Sequence, residues 1–421
     1  MKYLLIILLS IPLISFGQPI YNWEANVLKE SAIPKDLLID SKGATYICSN
    51  ILLDSGKGLS VVKHDQDGVF QWEVFDTMQA IYIEEAIIDD DDIIHLVGHV
   101  EDSLGNRSCY LTSISSFGVQ MWSAIYDGAS SYQAGCLGVC FLDDHIYATG
   151  LISDSTSFAK VILLKYDMLG NEVWAITDDM GSLNTDVGYD VATDGTDILV
   201  TGVSNFASTG PPEANFFLCK YAVSGSQVWL YENNFTSGKV DYGSEIAIDS
   251  DKNVFVSLRY SDHDLVKIDS AGIYQWTHNA TPNLPGFDAW YHSVKIDENN
   301  SIYLLGEAGV STPSGDAGTY LFSRVDQAGN LIYNHASSTY GYAYDFTILA
   351  NGNIAVLGDK DSVTRIMFGY DSSGVELWEI NYSNDEDRAW CYFVQSDDSS
   401  NITIAGIQRD SMSGPNLACN C

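Results

Sequence analysis

Basic residues are scarce in this chain. It has 20 Lys and Arg against 56 Asp and Glu among its 421 residues, which gives a formal net charge of −36. A surface with this balance repels the phosphates of nucleic acids and of anionic lipids. The acidic residues are spread along the whole chain, so they do not form a separate acidic tail. The composition therefore argues against a nucleic-acid ligand and predicts neutral or basic partners.

Long apolar segments are lacking beyond the N-terminus. The first residues read MKYLLIILLSIPLISFGQ, a basic residue followed by an apolar run and by small residues up to Gly17. This pattern is typical of a secretory signal peptide, and the run is shorter than the roughly 18–20 apolar residues that cross a membrane. We expect cleavage between Gly17 and Gln18. Residues 1–17 are thus predicted to be a signal peptide, and 18–421 a secreted or periplasmic protein without membrane insertion.

Signatures of common catalytic sites are also lacking. The sequence has no HExxH, no phosphate-binding glycine loop and no nucleophile elbow. We therefore expect a non-enzymatic protein without a cofactor. Glycoside hydrolysis needs only two suitably placed carboxyl groups, and 56 acidic residues make some such pair inevitable. An extracellular hydrolase or lyase acting on glycans is therefore the alternative function.

Cysteine is present, but without the spacing of a disulfide framework. Six of the eight cysteines lie inside apolar strand patterns, which predicts small buried apolar side chains. They are Cys48, Cys109, Cys136, Cys140, Cys219 and Cys391. In the expected oxidising compartment, Cys419 or Cys421 is an alternative disulfide partner of Cys391, and the connectivity cannot be deduced from sequence.

A ten-residue pattern recurs throughout the chain. It reads KYDMLGNEVW at 165–174 and KIDSAGIYQW at 267–276, with Gly in the sixth position and Trp or Tyr in the tenth. The glycines recur roughly every 50 residues, which is typical of repeat architectures. They are Gly68, Gly118, Gly170, Gly225, Gly272, Gly329 and Gly374. Glycine suits a turn that needs a positive φ, and the preceding Asp is suited to bond the backbone of the turn.

A second pattern alternates with the first. FLDDHIYATG at 141–150 and KIDENNSIYLLG at 295–306 each show an apolar strand, a polar turn and a second strand, as in a β-hairpin. The hairpin supplies strands a and b of each repeat, and the ten-residue pattern supplies strands c and d. Four short strands in about 50 residues, without helical periodicity, are typical of a propeller blade. We therefore predict an all-β propeller of eight four-stranded blades, with seven blades as the alternative.

The two ends of the chain predict how this propeller closes. The segment QPIYNWEANV at 18–27 reads as a strand d without its own blade, and GPNLACNC at 414–421 reads as a strand c. We expect the N-terminal strand to complete the last blade, which closes the ring and leaves no exposed sheet edge. Residues 18–421 would then form a single monomeric domain.

The aromatic residue of strand d is predicted to pack one blade against the next, because it offers a large flat apolar surface. The alternative is a ladder of ligand-binding rings. The predicted structural set consists of Trp23, Trp72, Trp122, Trp174, Trp229, Trp276, Tyr333 and Trp378.

The repeat resembles a known family. The combination D-x-x-G-x-x-Y-V-x-G and K-Y-D-x-x-G-x-x-x-W resembles the SBBP repeats of exported bacterial β-propellers, over essentially all of 18–421. This resemblance implies a propeller and export, without implying a particular activity. The element D-x-x-G-x-x-x-W is also similar to the tryptophan-docking motif of eight-bladed quinoprotein-like propellers. The quinone enzymes of that group use two adjacent cysteines, and this sequence has no such pair.

Propellers usually bind ligands through the loops at one end, so the residues between strand d and the next strand a are the predicted site. Trp290 and Trp390 are the two tryptophans outside strand d. Flat aromatic rings beside acids suit sugar faces or basic peptide segments, which predicts a protein or glycan ligand. The alternative is that these rings only fill the mouth of the channel. The candidate ligand-binding residues are Trp290, Trp390, Tyr82, Tyr340, Tyr242, Asp186, Asp241 and Arg388.

Metal binding is a weaker alternative. Asp-rich turns at 89–92 and 249–253 offer oxygen ligands that suit Ca²⁺, although neither matches an EF-hand loop. Solvated hairpin turns are the simpler explanation of both segments. His95 and His99 would share one face of a strand, but a histidine pair without further ligands is a weak signal. We expect no metal site, with Ca²⁺ as the alternative.

Overall fold

The computed structural model consists of β-strands and turns. It describes residues 4–5, 7–11, 24–26, 32–53, 56–77, 80–128, 133–153, 158–181, 184–207, 214–235, 240–259, 263–279, 288–312, 315–336, 341–359, 365–381 and 388–409. Within these residues no helix is long and apolar enough to cross a membrane.

Five four-stranded sheets follow the same plan, with strands neighbouring each other in chain order. The first is β4 (Ala32–Ile39), β5 (Thr45–Leu53), β6 (Gly56–His64) and β7 (Phe70–Asp76). The second is β16 (Thr185–Thr193), β17 (Asp197–Phe206), β18 (Asn215–Ala222) and β19 (Gln227–Asn233). The third is β20 (Tyr242–Ile248), β21 (Val254–Arg259), β22 (Leu265–Ile268) and β23 (Tyr274–His278). The fourth is β24 (Asp288–Ile296), β25 (Ile302–Thr312), β26 (Gly315–Val325) and β27 (Leu331–Ala336). The fifth is β28 (Ala343–Ile348), β29 (Ile354–Asp359), β30 (Arg365–Tyr370) and β31 (Glu376–Asn381).

Two larger sheets complete the described structure. One has eight strands: β8 (Ala80–Ile88), β9 (Ile94–Glu101), β10 (Arg107–Ile114), β11 (Gln120–Tyr126), β12 (Gln133–Leu142), β13 (His145–Ser153), β14 (Lys160–Asp167) and β15 (Glu172–Asp178). The other has five strands: β1 (Leu4–Leu5), β2 (Ile7–Ile11), β3 (Glu24–Asn26), β32 (Arg388–Ser396) and β33 (Ile402–Arg409).

The prediction of an all-β propeller is confirmed, but the predicted blade number is wrong. The described residues form five four-stranded blades, and neither eight nor the alternative of seven is found. Strands β8–β15 share one sheet because Arg107 on β10 pairs in parallel with Gln133 on β12. The period of the sequence gives the number of four-stranded repeats. The number of separate blades also depends on whether the sheet edges of neighbouring repeats pair with each other.

The sheet formed by the chain ends also departs from the prediction. Strand β2 pairs with β33, and β3 pairs with β2, so the place beside β33 is taken by residues 7–11. The sequence predicted residues 414–421 for that place, and these lie outside the described residues, as does Trp23. Cleavage after Gly17 remains a prediction, and it would remove β1 and β2 from this sheet.

The strands divide into two compact units. Unit 1 comprises Met1–Phe75 and Tyr344–Cys421, and unit 2 comprises Asp76–Ala343. Unit 2 thus contains the strands from β8 to β27, and its core is built where the sheet faces pack. One of its buried clusters, for example, joins Leu199 and Phe216 to Val256 and Val266.

The turn between strands c and d explains the recurring glycine. Gly170 has a φ of +80°, a conformation that side chains rarely tolerate. Asp167 Oδ1 accepts hydrogen bonds from the backbone N–H groups of Leu169 (2.9 Å) and Asn171 (2.8 Å). A Cβ atom on Gly170 would lie only 2.6 Å from the ring of Trp122. Glycine is therefore required here by both the turn and the neighbouring tryptophan.

Tryptophans of unit 2 lie between successive sets of strands. Trp122 Nε1 donates to the carbonyl of Met168 at 3.1 Å, and Trp276 Nε1 donates to the carbonyl of Gln327 at 3.1 Å. Trp174 Nε1 likewise donates to the carbonyl of Val223 at 3.3 Å. Each ring is thus anchored to the c–d turn of the next repeat.

The other predicted structural aromatics that the structure describes also lie among core residues. A Cβ atom on Gly272 would lie 2.6 Å from the ring of Trp229. In unit 1, the ring of Trp72 is 5.7 Å from that of Tyr46, and Trp378 is buried. The ring of Tyr333 lies 6.3 Å from that of Phe322.

Candidate functional site

Three aromatic residues occupy the same position at the start of strand a in unit 2. Tyr82, Tyr242 and Trp290 each lie one residue before the pair at which a β-bulge begins. Their cross-strand partners are His99, Arg259 and Glu307, so each ring is paired with a titratable side chain. The sequence predicted all three aromatics but none of these partners.

Glycines on the neighbouring strands permit this geometry. A Cβ on Gly98 would lie 1.9 Å from the carbonyl oxygen of Tyr82, and one on Gly306 would lie 2.0 Å from that of Trp290. A bulge brings the two strands closer than side chains allow, and it also redirects the side chains of its strand. These glycines therefore help to fix where the aromatic rings point.

The rings themselves are half-buried and have defined neighbours. Tyr82 stacks on His99 with ring centroids 4.7 Å apart and an interplanar angle of 14°. Tyr242 meets Tyr189 edge-on at 5.6 Å, and it lies 6.3 Å from the ring of Phe206. A cluster of aromatic surface thus surrounds Tyr242. Tyr189 was not among the predicted residues, because it lies at the bulge, where the alternation of the strand breaks.

Charged side chains accompany Tyr242 and Trp290. Burial raises the pKa of Glu307 to about 7, and Arg259 partly opposes this rise. Burial lowers the pKa of His292 to about 4, and the charge of Arg259 adds to the decrease. We call Tyr242, Arg259, Trp290, His292 and Glu307 the aromatic–charge site. It combines flat apolar surface with an exposed guanidinium group and a carboxyl group that titrates near neutral pH.

Two predicted acids have other surroundings. Asp186 is fully buried, and its Oδ1 accepts from the backbone N–H of Asn205 at 2.7 Å. Asp241 is also fully buried, and its Oδ2 accepts from the backbone N–H of Phe235 at 2.7 Å. Both carboxylates hold neighbouring backbone rather than facing an opening.

The other predicted ligand-binding residues are described only in part. Trp390 and Arg388 lie on β32, where their backbones pair with Ile407 and Arg409. Trp390 lies one residue before the bulge of its strand, the same register position as Trp290. Nothing is described of the side chains of Trp390 and Arg388, and Tyr340 lies outside the described residues.

A row of carboxylates at the bulges was missed by the sequence analysis. Glu245 Oε2 accepts from the backbone N–H of Val294 at 3.0 Å, and Asp190 Oδ2 accepts from that of Ile246 at 2.6 Å. Burial raises the pKa of Glu245 to about 7 and that of Asp190 to about 6. The negative charge of Asp190 also contributes to the raised pKa of Glu245.

The same arrangement recurs elsewhere. Glu85 Oε2 accepts from the backbone N–H of Val139 at 2.6 Å, and in unit 1 Asp345 Oδ2 accepts from that of Val394 at 2.9 Å. Each carboxylate thereby ties one strand a to the next. A sequence signal existed, because three of these acids precede the Asp of their hairpin turn by four residues, at 85 and 89, 190 and 194, and 245 and 249.

The residues considered for metal binding already have protein partners. Asp89 Oδ1 accepts from the backbone N–H of Ile93 at 2.9 Å, and Asp89 Oδ2 lies 3.0 Å from His95 Nε2. In the other Asp-rich turn, Asp249 Oδ1 accepts from the backbone N–H of Asn253 at 2.9 Å. His99 packs on Tyr82 instead. Within the described ranges no group of three His, Cys, Asp or Glu side chains is placed to hold a metal ion.

Comparison with known proteins gives no family. No protein-family model matches the chain. An uncharacterised WD repeat-containing protein of Acanthamoeba polyphaga mimivirus is 31% identical over 142 residues, which is 26% of this chain and 10% of the viral protein. The chain therefore spans about a tenth of the length of that relative.

Similar solved structures include a WD40 domain and a β-propeller domain. The WD40 domain of Pan2 from Neurospora crassa has a TM-score of 0.46 and 10% identity, with 89% of each chain covered. The β-propeller domain of the Trilobed protease from Pyrococcus furiosus has a TM-score of 0.45 and 10% identity, covering 85% of this chain and 97% of that one. The assignment of an all-β propeller accordingly rests on the strand order of the blades themselves.

Proposed function

We propose that this protein is a non-enzymatic binding module that holds a protein or glycan ligand at the aromatic–charge site. The observation that carries the proposal is the repeated pairing at one register position, Tyr82 with His99, Tyr242 with Arg259 and Trp290 with Glu307. Propellers bind mostly through one end, and this position lies at the end where strand a begins.

The chemistry of the site suits a neutral glycan or a basic peptide segment. Half-buried aromatic rings supply contact area at little entropic cost. Arg259 offers hydrogen-bond donors, and Glu307 accepts or donates according to its protonation. The net charge of −36 disfavours polyanionic ligands.

Export is part of the same proposal. The N-terminal pattern and the SBBP-like repeats support a bacterial propeller that is secreted or periplasmic and works as a monomer. N-terminal sequencing of the protein from its native host tests this, and a chain that starts at Met1 would contradict it.

The binding proposal is tested with the purified chain on a glycan array and in a pull-down. Ligands recovered there are titrated against Trp290→Ala and Tyr242→Ala. We expect each variant to lose about 1 kcal/mol or more of binding free energy, as for an interface hot spot, with nearly unchanged melting. Phe117→Ala is the matched control, because Phe117 is 85% exposed and lies on a turn far from this position in sequence. Wild-type affinity in both site variants would contradict the proposal.

A glycan-active enzyme is the second candidate, and one observation favours it. Burial and the negative charge of Asp190 raise the pKa of Glu245 to about 7, and a carboxyl group with such a pKa is suited to act as a general acid. Against this, both carboxylates already accept backbone N–H groups of the neighbouring strand. Hydrolysis of an array glycan by the wild-type chain, lost in Glu245→Gln and retained in Trp290→Ala, would favour the enzyme.

A further inference from the structure

Two cysteines meet where the strands β8–β11 join the strands β12–β15. Arg107 on β10 pairs in parallel with Gln133 on β12, and this is the residue pair that merges them into one eight-stranded sheet. Cys109 follows two residues after Arg107, and Cys136 follows three residues after Gln133. The strand pairing therefore brings both cysteines to the same junction.

The two thiols are in contact inside a closed apolar cluster. Cys109 and Cys136 are both fully buried, and they share this cluster with Ala134 and Ala148. Their side chains are hydrogen-bonded to each other, which together with burial raises the pKa of Cys136 well above its ordinary value. Contact between two cysteine side chains is the first geometric requirement for a disulfide bond, whose S–S length is about 2.05 Å.

Cys140 and Cys219, two other buried cysteines, do not share this arrangement. Cys140 and Cys219 lie together in another cluster. The pKa of Cys140 is raised by burial and by Asp190 and Glu85, and that of Cys219 by burial and by Asp178, so neither thiol acts on the other. These two cysteines serve as internal controls, because they also share a buried cluster but are not hydrogen-bonded to each other.

We propose that Cys109 and Cys136 are a disulfide-forming pair that covalently links β10 to β12. The oxidant is a disulfide, either a small molecule such as oxidised glutathione or a protein dithiol oxidase. One cysteine thiolate attacks a sulfur of the oxidant, forms a mixed disulfide and releases the first thiol. The second cysteine thiolate then attacks the sulfur of the first cysteine and releases the second thiol. The protein loses two protons and two electrons, and the oxidant is reduced to two thiols.

Burial determines when this exchange takes place. Thiolates are the reacting species. In the folded chain burial raises the pKa of Cys136 well above its ordinary value, and both thiols are shielded from solvent. The bond therefore forms while the chain folds, provided the compartment is oxidising. Once formed, it is protected from reduction by the same burial. It would reinforce the junction at which Arg107 on β10 pairs with Gln133 on β12.

The test is refolding of the full-length denatured and reduced chain in a buffer of oxidised and reduced glutathione, followed by peptide mapping under non-reducing conditions. We expect a cross-linked peptide pair that contains Cys109 and Cys136 and has lost two hydrogen atoms, with Cys140 and Cys219 still free. The oxidised protein should melt at a higher temperature than the same protein refolded under a reductant. Two free thiols at Cys109 and Cys136 under these conditions, or a bridge from either to a different cysteine, would overturn the proposal.

Cysteine variants distinguish the effect of the Cys109–Cys136 disulfide on stability from the effect of cysteine packing in the core. The double variant C109A/C136A should melt at the same temperature in oxidising and reducing buffer, whereas C140A/C219A should keep the difference shown by the wild type. Because mapping of the wild-type protein needs no substitution, the proposal remains testable even if a core variant fails to fold. A redox-dependent melting shift that survives in C109A/C136A would also contradict it.

Discussion

At the residue scale, one glycine satisfies two unrelated requirements. Gly329 has a φ of +82°, and a Cβ atom there would lie 2.8 Å from the ring of Trp276. Gly195 has a φ of +80° but no atom within 4 Å of such a Cβ. The two glycines thus differ in packing while sharing a backbone conformation.

Alanine at these two positions should therefore have unequal effects. Gly195→Ala carries only the cost of a positive φ, about 1–2 kcal/mol. Gly329→Ala should lose more stability, because it must also displace the ring of Trp276. Urea unfolding of both variants measures the difference, and equal losses would show that the tryptophan contact adds nothing.

The tryptophan on the other side of this contact gives a second prediction. Trp276→Ala should lower the free energy of unfolding by about 3–5 kcal/mol, the usual cost of removing a large packed aromatic. Its hydrogen bond to the carbonyl of Gln327 is lost as well. Thermal unfolding reports the change. If Trp276→Ala instead kept wild-type stability but bound its ligand weakly, the strand-d aromatics would be ligand-binding rings rather than packing residues.

The raised pKa of Glu245 predicts how stability responds to pH. Its pKa is about 7 in the folded chain against an ordinary value of 4.5. Between these pH values the folded state binds more protons than the unfolded state, so stability falls as pH rises from about 4.5 to about 7. Above about pH 7 Glu245 is ionised in both states, so its effect on the free energy of unfolding no longer changes with pH.

Glu245→Gln tests this dependence. The amide does not titrate, so the variant should lose part of the decrease in melting temperature between pH 5 and pH 8, while Asp190 keeps its own share. The matched variant Glu298→Gln, at an exposed turn residue, should retain the wild-type profile. Identical profiles for wild type and Glu245→Gln would show that this carboxyl group is not the titrating one.

At the scale of the element, the bulge of strand a determines the site. Gly306 on β25 faces the carbonyl of Trp290 so closely that a Cβ atom would lie 2.0 Å from its oxygen. Backbone atoms cannot yield as a flexible side chain can. The bulge, the ring position and the adjoining strand therefore depend on one another.

Gly306→Ala should consequently disturb β24 and the aromatic–charge site together. We expect a large loss of stability, measured by urea unfolding, and weaker ligand binding in whatever protein remains folded. Gly105→Ala is the control, since no atom lies within 4 Å of its Cβ and it should lose only the cost of its positive φ, about 1–2 kcal/mol. A folded Gly306→Ala protein with wild-type stability would mean that the two strands can separate without cost.

At the scale of the whole molecule, the excess of acid acts on both stability and binding. Like charges repel within the folded chain, and salt screens this repulsion. Melting temperature should therefore rise as sodium chloride is added at neutral pH, whereas binding of a basic ligand should weaken. A protein whose melting temperature is independent of salt would show that its acidic residues are locally compensated.

Much of the fold could be predicted from the sequence because its signals are local. A turn glycine, an Asp that bonds the next few N–H groups and an apolar strand all act within about ten residues. Gly170 and Asp167 illustrate this, since together they shape one turn. Trp122, which packs against Gly170, belongs to the row of strand-d aromatics that repeats with the same period as the turns. The aromatic positions at 82, 242 and 290 were found for the same reason.

The sequence by itself thus determined strand content, turn chemistry and the positions of the repeated aromatics, because each depends on neighbours along the chain. Only the tertiary structure decided that Arg107 meets Gln133, that β2 lies beside β33 and that Glu245 caps the backbone of Val294. Those pairings join residues from different repeats. Several edges and carboxylates of similar composition compete for each partner, and the choice among them depends on how the sheets pack in space.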